Sequence, residues 1–119
     1  MLVCGSCTGQ DRTLEITAQE FRFIPSFLEV TEGQRIRFVL RNQGHEPHTF
    51  HAPLLLTSAH RVQGLSEDLS VQDGEAIVIH PGETVRFILE PRAGVYAFRC
   101  WIKGHAGMEG VMIVKARES

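Results

Sequence analysis

From Leu14 onward, apolar and polar residues take turns along the chain. Leu14-Glu15-Ile16-Thr17-Ala18 alternates, and so does Gln34-Arg35-Ile36-Arg37-Phe38-Val39-Leu40-Arg41, with Ile36, Phe38 and Leu40 on one face. Glu83-Thr84-Val85-Arg86-Phe87-Ile88-Leu89-Glu90 repeats the pattern with Val85, Phe87 and Leu89. Successive side chains of a strand point to opposite faces, so this alternation predicts half-buried strands. Residues 76–80, 94–100 and 110–116 read as further strands. Residues 21–30 read as two short strands interrupted at Pro25, whose ring nitrogen cannot donate to a ladder. Gly or Pro stands at the breaks: Thr31-Glu32-Gly33-Gln34, His80-Pro81-Gly82-Glu83 and Pro91-Arg92-Ala93-Gly94. Each is a plausible turn. Short strands with turns at this spacing predict a two-sheet antiparallel sandwich. Phe21, Phe23, Phe38, Phe87 and Phe98 are expected to fill it. The exception is 53–74, where Leu55, Ala59 and Val62 fall at helical spacing and predict one short helix in a longer excursion.

Composition narrows the class without changing this picture. The 119 residues are 43% apolar and 22% charged, enough for one hydrophobic core and too few for two ordinary domains. A single domain is expected over 13–116, preceded by a flexible tail over 1–12. The formal net charge of -2 gives no basis for a nucleic-acid partner. No stretch approaches the roughly 20 apolar residues of a membrane span. In Met1-Leu2-Val3-Cys4-Gly5-Ser6-Cys7, small residues precede a cysteine. This reads as the end of a trimmed lipoprotein signal with Cys7 lipidated, as a tail with two incidental thiols, or as a local Cys4–Cys7 disulfide. Three cysteines leave at least one outside any disulfide within the chain.

The chemistry concentrates near the C-terminus, in Tyr96-Ala97-Phe98-Arg99-Cys100-Trp101-Ile102-Lys103-Gly104-His105-Ala106-Gly107-Met108-Glu109-Gly110. A strand delivers Cys100 on the same face as Tyr96 and Phe98, the face expected to look inward. A loop rich in glycine then carries His105 and Met108. Thiolate and thioether are soft ligands, which favour copper over magnesium, calcium or manganese. A structural zinc site takes four strong ligands, and a thioether is a poor fourth. Two His, one Cys and a weak Met form the set for a blue-copper electron-transfer centre. The rival readings of Cys100 are a buried core thiol and a nucleophile with a His base. No orienting acid or oxyanion motif accompanies the second.

The loop supplies one His, so another must come from elsewhere. The candidate stretch is Asn42-Gln43-Gly44-His45-Glu46-Pro47-His48-Thr49-Phe50-His51, directly after a strong strand. If the chain is extended after Pro47, His48 and Phe50 share a face, and Thr49 and His51 point the other way. An inward Phe50 then carries His48 inward. His45 competes as a turn residue and His51 as a solvent-facing one; His60 and His80 read as surface residues. Met112 competes with Met108, but it falls inside the last strand, where a core role is the default.

Glu46-Pro47-His48-Thr49-Phe50, followed about fifty residues later by Cys-x4-His-x2-Met-x-Gly, resembles the cupredoxins, among them plastocyanin, amicyanin, rusticyanin and auracyanin. Phe21-x-Phe23-x-Pro25 and Glu29-Val30-x-x-Gly33-Gln34 are similar to the early strands of that family. The resemblance covers nearly the whole chain after the tail. It implies an all-β Greek-key sandwich with one type 1 copper ion at one end, held by His48, Cys100, His105 and axial Met108. The chain departs from the family in three places. A long Cys-to-His interval is combined with a short His-to-Met interval. Thr49 replaces a frequent Asn, and Trp101 follows Cys100 where a small hydroxyl residue is common. The last two departures imply altered hydrogen bonds at the sulfur, and such contacts tune redox potential.

The function implied is one-electron transport rather than enzyme catalysis. Transient redox partners would dock near His105, on a patch made with Ala106, Gly107 and Met108. A monomer is expected, exported to the periplasm or lipid-anchored on the outer face of a membrane. The rival from another class is a copper carrier or copper-resistance protein, to which His45, His51 and His60 lend weight. A multicopper enzyme domain is a third reading, though the chain has no His-x-His pair.

Overall fold

The structure is a computed structural model that describes residues 11–58, 60–63, 71–72, 76–102 and 107–117. Cys4, Cys7, His105 and Ala106 lie outside the described residues, as does most of the excursion after Ser58.

In chain order the elements are β1 (Asp11–Gln19), β2 (Arg22–Ile24), β3 (Phe27–Thr31), β4 (Arg35–Asn42), β5 (His48–His51), α1 (Pro53–Ser58), β6 (His60–Gln63), β7 (Val71–Gln72), β8 (Ala76–Ile79), β9 (Thr84–Glu90), β10 (Gly94–Arg99) and β11 (Glu109–Lys115). They form a five-stranded sheet ordered β2-β1-β4-β9-β6 and a six-stranded sheet ordered β3-β11-β10-β5-β8-β7. The alternating segments became β1, β4 and β9, which lie side by side in the first sheet. Their inward residues, Leu14, Ile16, Ile36, Phe38, Leu40, Val85, Phe87 and Leu89, are buried. The rings of Phe38 and Phe87 stack face to face at 4.9 Å, at the paired position Phe38↔Phe87.

Turn chemistry worked as expected at two places. Gly33 and Gly82 take positive φ, 94° and 81°, the left-handed region open to glycine. The second turn closes with Glu83 N donating to His80 O at 2.9 Å.

Three expectations need correction. The sandwich is all-β but not purely antiparallel: β1 runs parallel to β4, and β3 parallel to β11. The chain leaves the first sheet after β2, places β3 in the other sheet and returns as β4, so β1 and β4 become neighbours in the same direction. The expected short helix is present as α1, but it ends at Ser58, and Val62 of the helical spacing lies in β6 instead. Apolar spacing alone also fits a strand there. The open edge of β9 supplies ladder partners, with Arg61 opposite Leu89 and Gln63 opposite Ile88. Phe21 is 48% exposed rather than core, because it falls in the turn between β1 and β2, off the strand alternation.

Candidate metal centre

His48 is the first residue of β5 and is wholly buried. Cys100 directly follows β10 and is 7% exposed. The two are 52 residues apart in sequence, yet Nδ1 of His48 lies 3.8 Å from Sγ of Cys100. Strand periodicity explains the meeting. Phe50 stands two residues after His48, and Phe98 two before Cys100, so each ring lies on its neighbour's inward face. These rings pack at 5.1 Å, and Phe23 meets Phe98 edge-on at 5.2 Å and Phe50 at 6.3 Å. The aromatic cluster thus holds the two strand ends at a fixed separation. Gly110 sits opposite Phe98 in the ladder, and a Cβ there would overlap the Phe98 ring and crowd Ser26 O.

The backbone beyond Cys100 is pinned from both sides. Cys100 N donates to Met108 O at 2.9 Å, which brings the two ends of the intervening loop together. Met108 is wholly buried there, whereas Met112 is buried in the core of β11. Trp101 N donates to Thr49 Oγ1 at 2.6 Å. Thr49 in turn faces the sulfur, its N–H at 3.4 Å and its hydroxyl at 3.7 Å from Cys100 Sγ. Thr49 is buried, with the Trp101 amide bonded to its hydroxyl. Two donors aimed at one sulfur favour its anionic form. The departure at Thr49 leaves the sulfur with a hydroxyl donor and an N–H donor.

The other histidines divide as follows. His45 lies exposed in the bend between β4 and β5, and His80 in an exposed turn. His51 is only partly exposed. Its ring lies 4.2 Å from that of Trp101, which is 51% exposed. The side chain of His60 lies outside the described residues.

Two residues that the sequence reading passed over shape the bend before His48. Asn42 is buried and donates from Nδ2 to Glu46 O and to Ile79 O, both at 2.8 Å; its Oδ1 accepts from Gly44 N at 2.8 Å. Asn-x-Gly is a turn signal that could have flagged it. Glu20, in the turn after β1, reaches the same bend from the other sheet. Its Oε1 accepts from His45 N at 2.6 Å and Glu46 N at 3.1 Å, and lies 3.4 Å from His48 Nε2. Partial burial raises the Glu20 carboxyl pKa, but hydrogen bonds from the His45 and Glu46 amides and from His48 outweigh it, so the net shift is downward. No local motif announces Glu20, which stands 28 residues before His48.

The donor set fits a soft transition metal. Thiolate sulfur and imidazole nitrogen bind such ions at about 2.3 and 2.0 Å, and at a roughly trigonal angle would lie about 3.7 Å apart. The observed 3.8 Å between Sγ and Nδ1 matches. Among the described residues no group of three His, Cys, Asp or Glu side chains converges. The expected third member, His105, lies outside them.

The family model of the Cupredoxin-like domain matches residues 4–114. A copper-resistant cuproprotein of Rubrivivax gelatinosus, CopI, is 28% identical over 118 residues, covering 93% of this chain and 71% of the relative. Among solved structures, auracyanin from Roseiflexus castenholzii superposes with a TM-score of 0.63 at 22% identity, over 89% of this chain and 98% of that one. Auracyanin A of Chloroflexus aurantiacus, a blue copper protein, gives 0.62 at 20% identity, over 88% and 99%. The blue copper oxidase of Nitrosomonas europaea gives 0.67 at 17% identity, over 92% of this chain but 40% of that one.

Proposed function

The chain belongs to the cupredoxin-like domain family, and on that premise we propose that it is a type 1 copper protein that carries single electrons between redox partners and catalyses no reaction of its own. The observation that carries this reading is the buried pair of Cys100 Sγ and His48 Nδ1, 3.8 Å apart. His105 and Met108 would complete the set, by match to the Cys-x4-His-x2-Met pattern. Copper would supply the redox couple, as Cu(II) accepting one electron from a reduced partner and as Cu(I) passing it to an oxidised one.

The residues of the chain do the remaining work. The Phe23–Phe50–Phe98 cluster holds the strand-borne ligands in place, so that changing oxidation state requires little movement. Thr49 donates to the sulfur and spreads its charge. Burial of His48, Cys100 and Met108 keeps water away from the ligands. Partners would dock at the loop carrying His105, in small and transient encounters.

Loading the protein with Cu(II) tests the reading. We expect an intense visible band from thiolate-to-copper charge transfer, abolished in Cys100→Ser, together with reversible one-electron voltammetry. A colourless, spectroscopically weak Cu(II) adduct would overturn the assignment.

The likeness to CopI favours a second reading, that of a protein that binds copper to protect against it. That role needs no electron exchange. Fast self-exchange with slow loss of copper to a chelator supports the shuttle; sluggish exchange with ready loss supports the copper-handling role.

A further inference from the structure

We propose that Glu20 is a positioning residue for the metal centre: its carboxylate fixes the ring orientation of His48 from behind and holds the site toward the Cu(II) form. The inference rests on the copper reading above. It deepens that reading by naming a residue that neither the ligand pattern nor the family match singles out.

The geometry has three parts. First, the two nitrogens of His48 face different partners. Nδ1 faces Cys100 Sγ at 3.8 Å, and Nε2, buried from solvent, faces Glu20 Oε1 at 3.4 Å. A ligand imidazole commonly directs its second nitrogen at a carboxylate, which sets the tautomer and raises the basicity of the coordinating nitrogen. Second, Glu20 is itself held. The same Oε1 accepts from two consecutive backbone amides, those of His45 and Glu46. These belong to the bend that leads into His48, so the carboxylate fixes the ring and the chain entering it together. Third, the bend leaves room for it. A Cβ at Gly44 would overlap the Glu20 carboxylate, and Asn42 bonds the same bend at Gly44 N and Glu46 O. Glu20 lies between β1 and β2 of the first sheet, and His48 opens a strand of the second. The contact therefore also ties the two sheets together at the site.

A fixed anion behind one ligand favours the more highly charged copper ion. Neutralising it should weaken Cu(II) binding more than Cu(I) binding. Partners of ligand residues typically change metal affinity by about 10–100-fold when mutated. Glu20→Gln keeps an oxygen for the amides of His45 and Glu46 and removes the charge. Gly44→Ala leaves the carboxylate in the chain but displaces it from the bend. Glu90→Gln, in an exposed ion pair with Arg35, is the control.

The experiment measures Cu(II) and Cu(I) affinities by competition, and the tautomer of His48 in the metal-free protein by nitrogen NMR. In wild type the Nε2 nitrogen should carry the proton. In both Glu20→Gln and Gly44→Ala, Cu(II) affinity should fall about tenfold more than Cu(I) affinity. That difference raises the reduction potential by about 59 mV for a one-electron couple. Gly44→Ala should also blur the tautomer preference, and Glu90→Gln should change nothing. A purely structural role would lower stability in the two variants with the affinity ratio unmoved, and that result overturns the inference. If wild type gives no charge-transfer band, the copper reading fails instead. The metal-free tautomer then decides the positioning role alone: a proton on Nε2 that Gly44→Ala releases upholds it, and one indifferent to that change refutes it.

Discussion

Two of the antiparallel strand pairs in this sandwich, one in each sheet, are built differently. In the first sheet, β4 and β9 pair without a break from Ile36↔Leu89 to Arg41↔Thr84, around the stacked rings of Phe38 and Phe87. In the second sheet, β5 and β10 share only one register pair, His51 with Arg99. Beyond it the ladder gives way to other bonds. Thr49 N turns to the Cys100 sulfur, Trp101 N to the Thr49 hydroxyl, and Cys100 N to Met108 O. The regular pair keeps one register over six residue pairs. The irregular pair redirects donors to a sulfur and to the loop that follows it, and the aromatic cluster beneath supplies the cohesion that the missing ladder would have given.

The largest break in this comparison comes from the two aromatic centres. Phe38→Ala and Phe50→Ala should each cost about 3–5 kcal/mol, the usual range for emptying a buried phenylalanine site. They should differ in their effect on the metal centre. Phe38 lies within the regular pair, so the folded fraction of Phe38→Ala should keep the wild-type charge-transfer band. Phe50 lies two residues from His48 against Phe98, so Phe50→Ala should broaden or shift the band as well as lower the urea midpoint. Equal spectra for the two variants would show that the cluster does not position the ligands.

Gly110→Ala approaches the same cluster from β11. The added methyl meets the Phe98 ring and Ser26 O. Backbone cannot retreat as a side chain can, so the cost should lie toward the upper end of about 1–3 kcal/mol. Displacement of Phe98 should carry Cys100 with it and perturb the band. Denaturant unfolding and a visible spectrum on the same samples check both.

These contrasts also explain what could be read from the sequence. Regular strands advertise themselves: the alternation around Phe38 and Phe87 predicted β4, β9 and their buried faces residue by residue. The inward set Tyr96, Phe98 and Cys100 was legible for the same reason, and so was the pairing of His48 with Phe50. Irregular features are contacts between distant segments and leave no period. The parallel neighbours β1 and β4 depend on where β3 goes, which no local pattern records. Parity turns Thr49 away from His48 and Phe50, yet it is buried, and its hydroxyl takes the amide of Trp101, a residue from another strand end. Val62 had helical spacing, and the open edge of β9 decided otherwise. Glu20 reaches His48 across the sheets, and its own surroundings in the sequence are an ordinary polar turn.

A sharper test of the redirected donors is Thr49→Val. Valine preserves the shape and the N–H to sulfur but removes the hydroxyl, which leaves the Trp101 amide without its 2.6 Å acceptor. The expected destabilisation is about 1–2 kcal/mol, within the range for stranding a buried donor. Loss of a donor to the sulfur makes the thiolate a stronger ligand for Cu(II), so the reduction potential should fall, opposite in sign to the change expected from Glu20→Gln. Thr49→Ser, which keeps the hydroxyl, should restore the potential even if part of the stability is lost. An unchanged potential in Thr49→Val would mean that the 3.7 Å hydroxyl contact carries no weight.

The smallest effect should come from a polar link on the regular pair itself. Arg35 Nε lies 3.3 Å from Glu90 Oε2, joining β4 to β9 near one end of their ladder, and both side chains are well exposed. Water screens such a pair, and holding two long side chains in one geometry costs entropy, so measured values run from about 0 to 1 kcal/mol. Arg35→Ala should therefore shift the urea midpoint by no more than that, with the spectrum and potential unchanged. The outcome bears on the comparison as a whole. If β4 and β9 owe their cohesion to an unbroken ladder over buried Ile36, Phe38, Leu40, Val85, Phe87 and Leu89, a surface charge adds little to it. A loss above about 2 kcal/mol would mean that the regular pair, too, depends on a few specific polar contacts, and the contrast between the two halves would be one of degree.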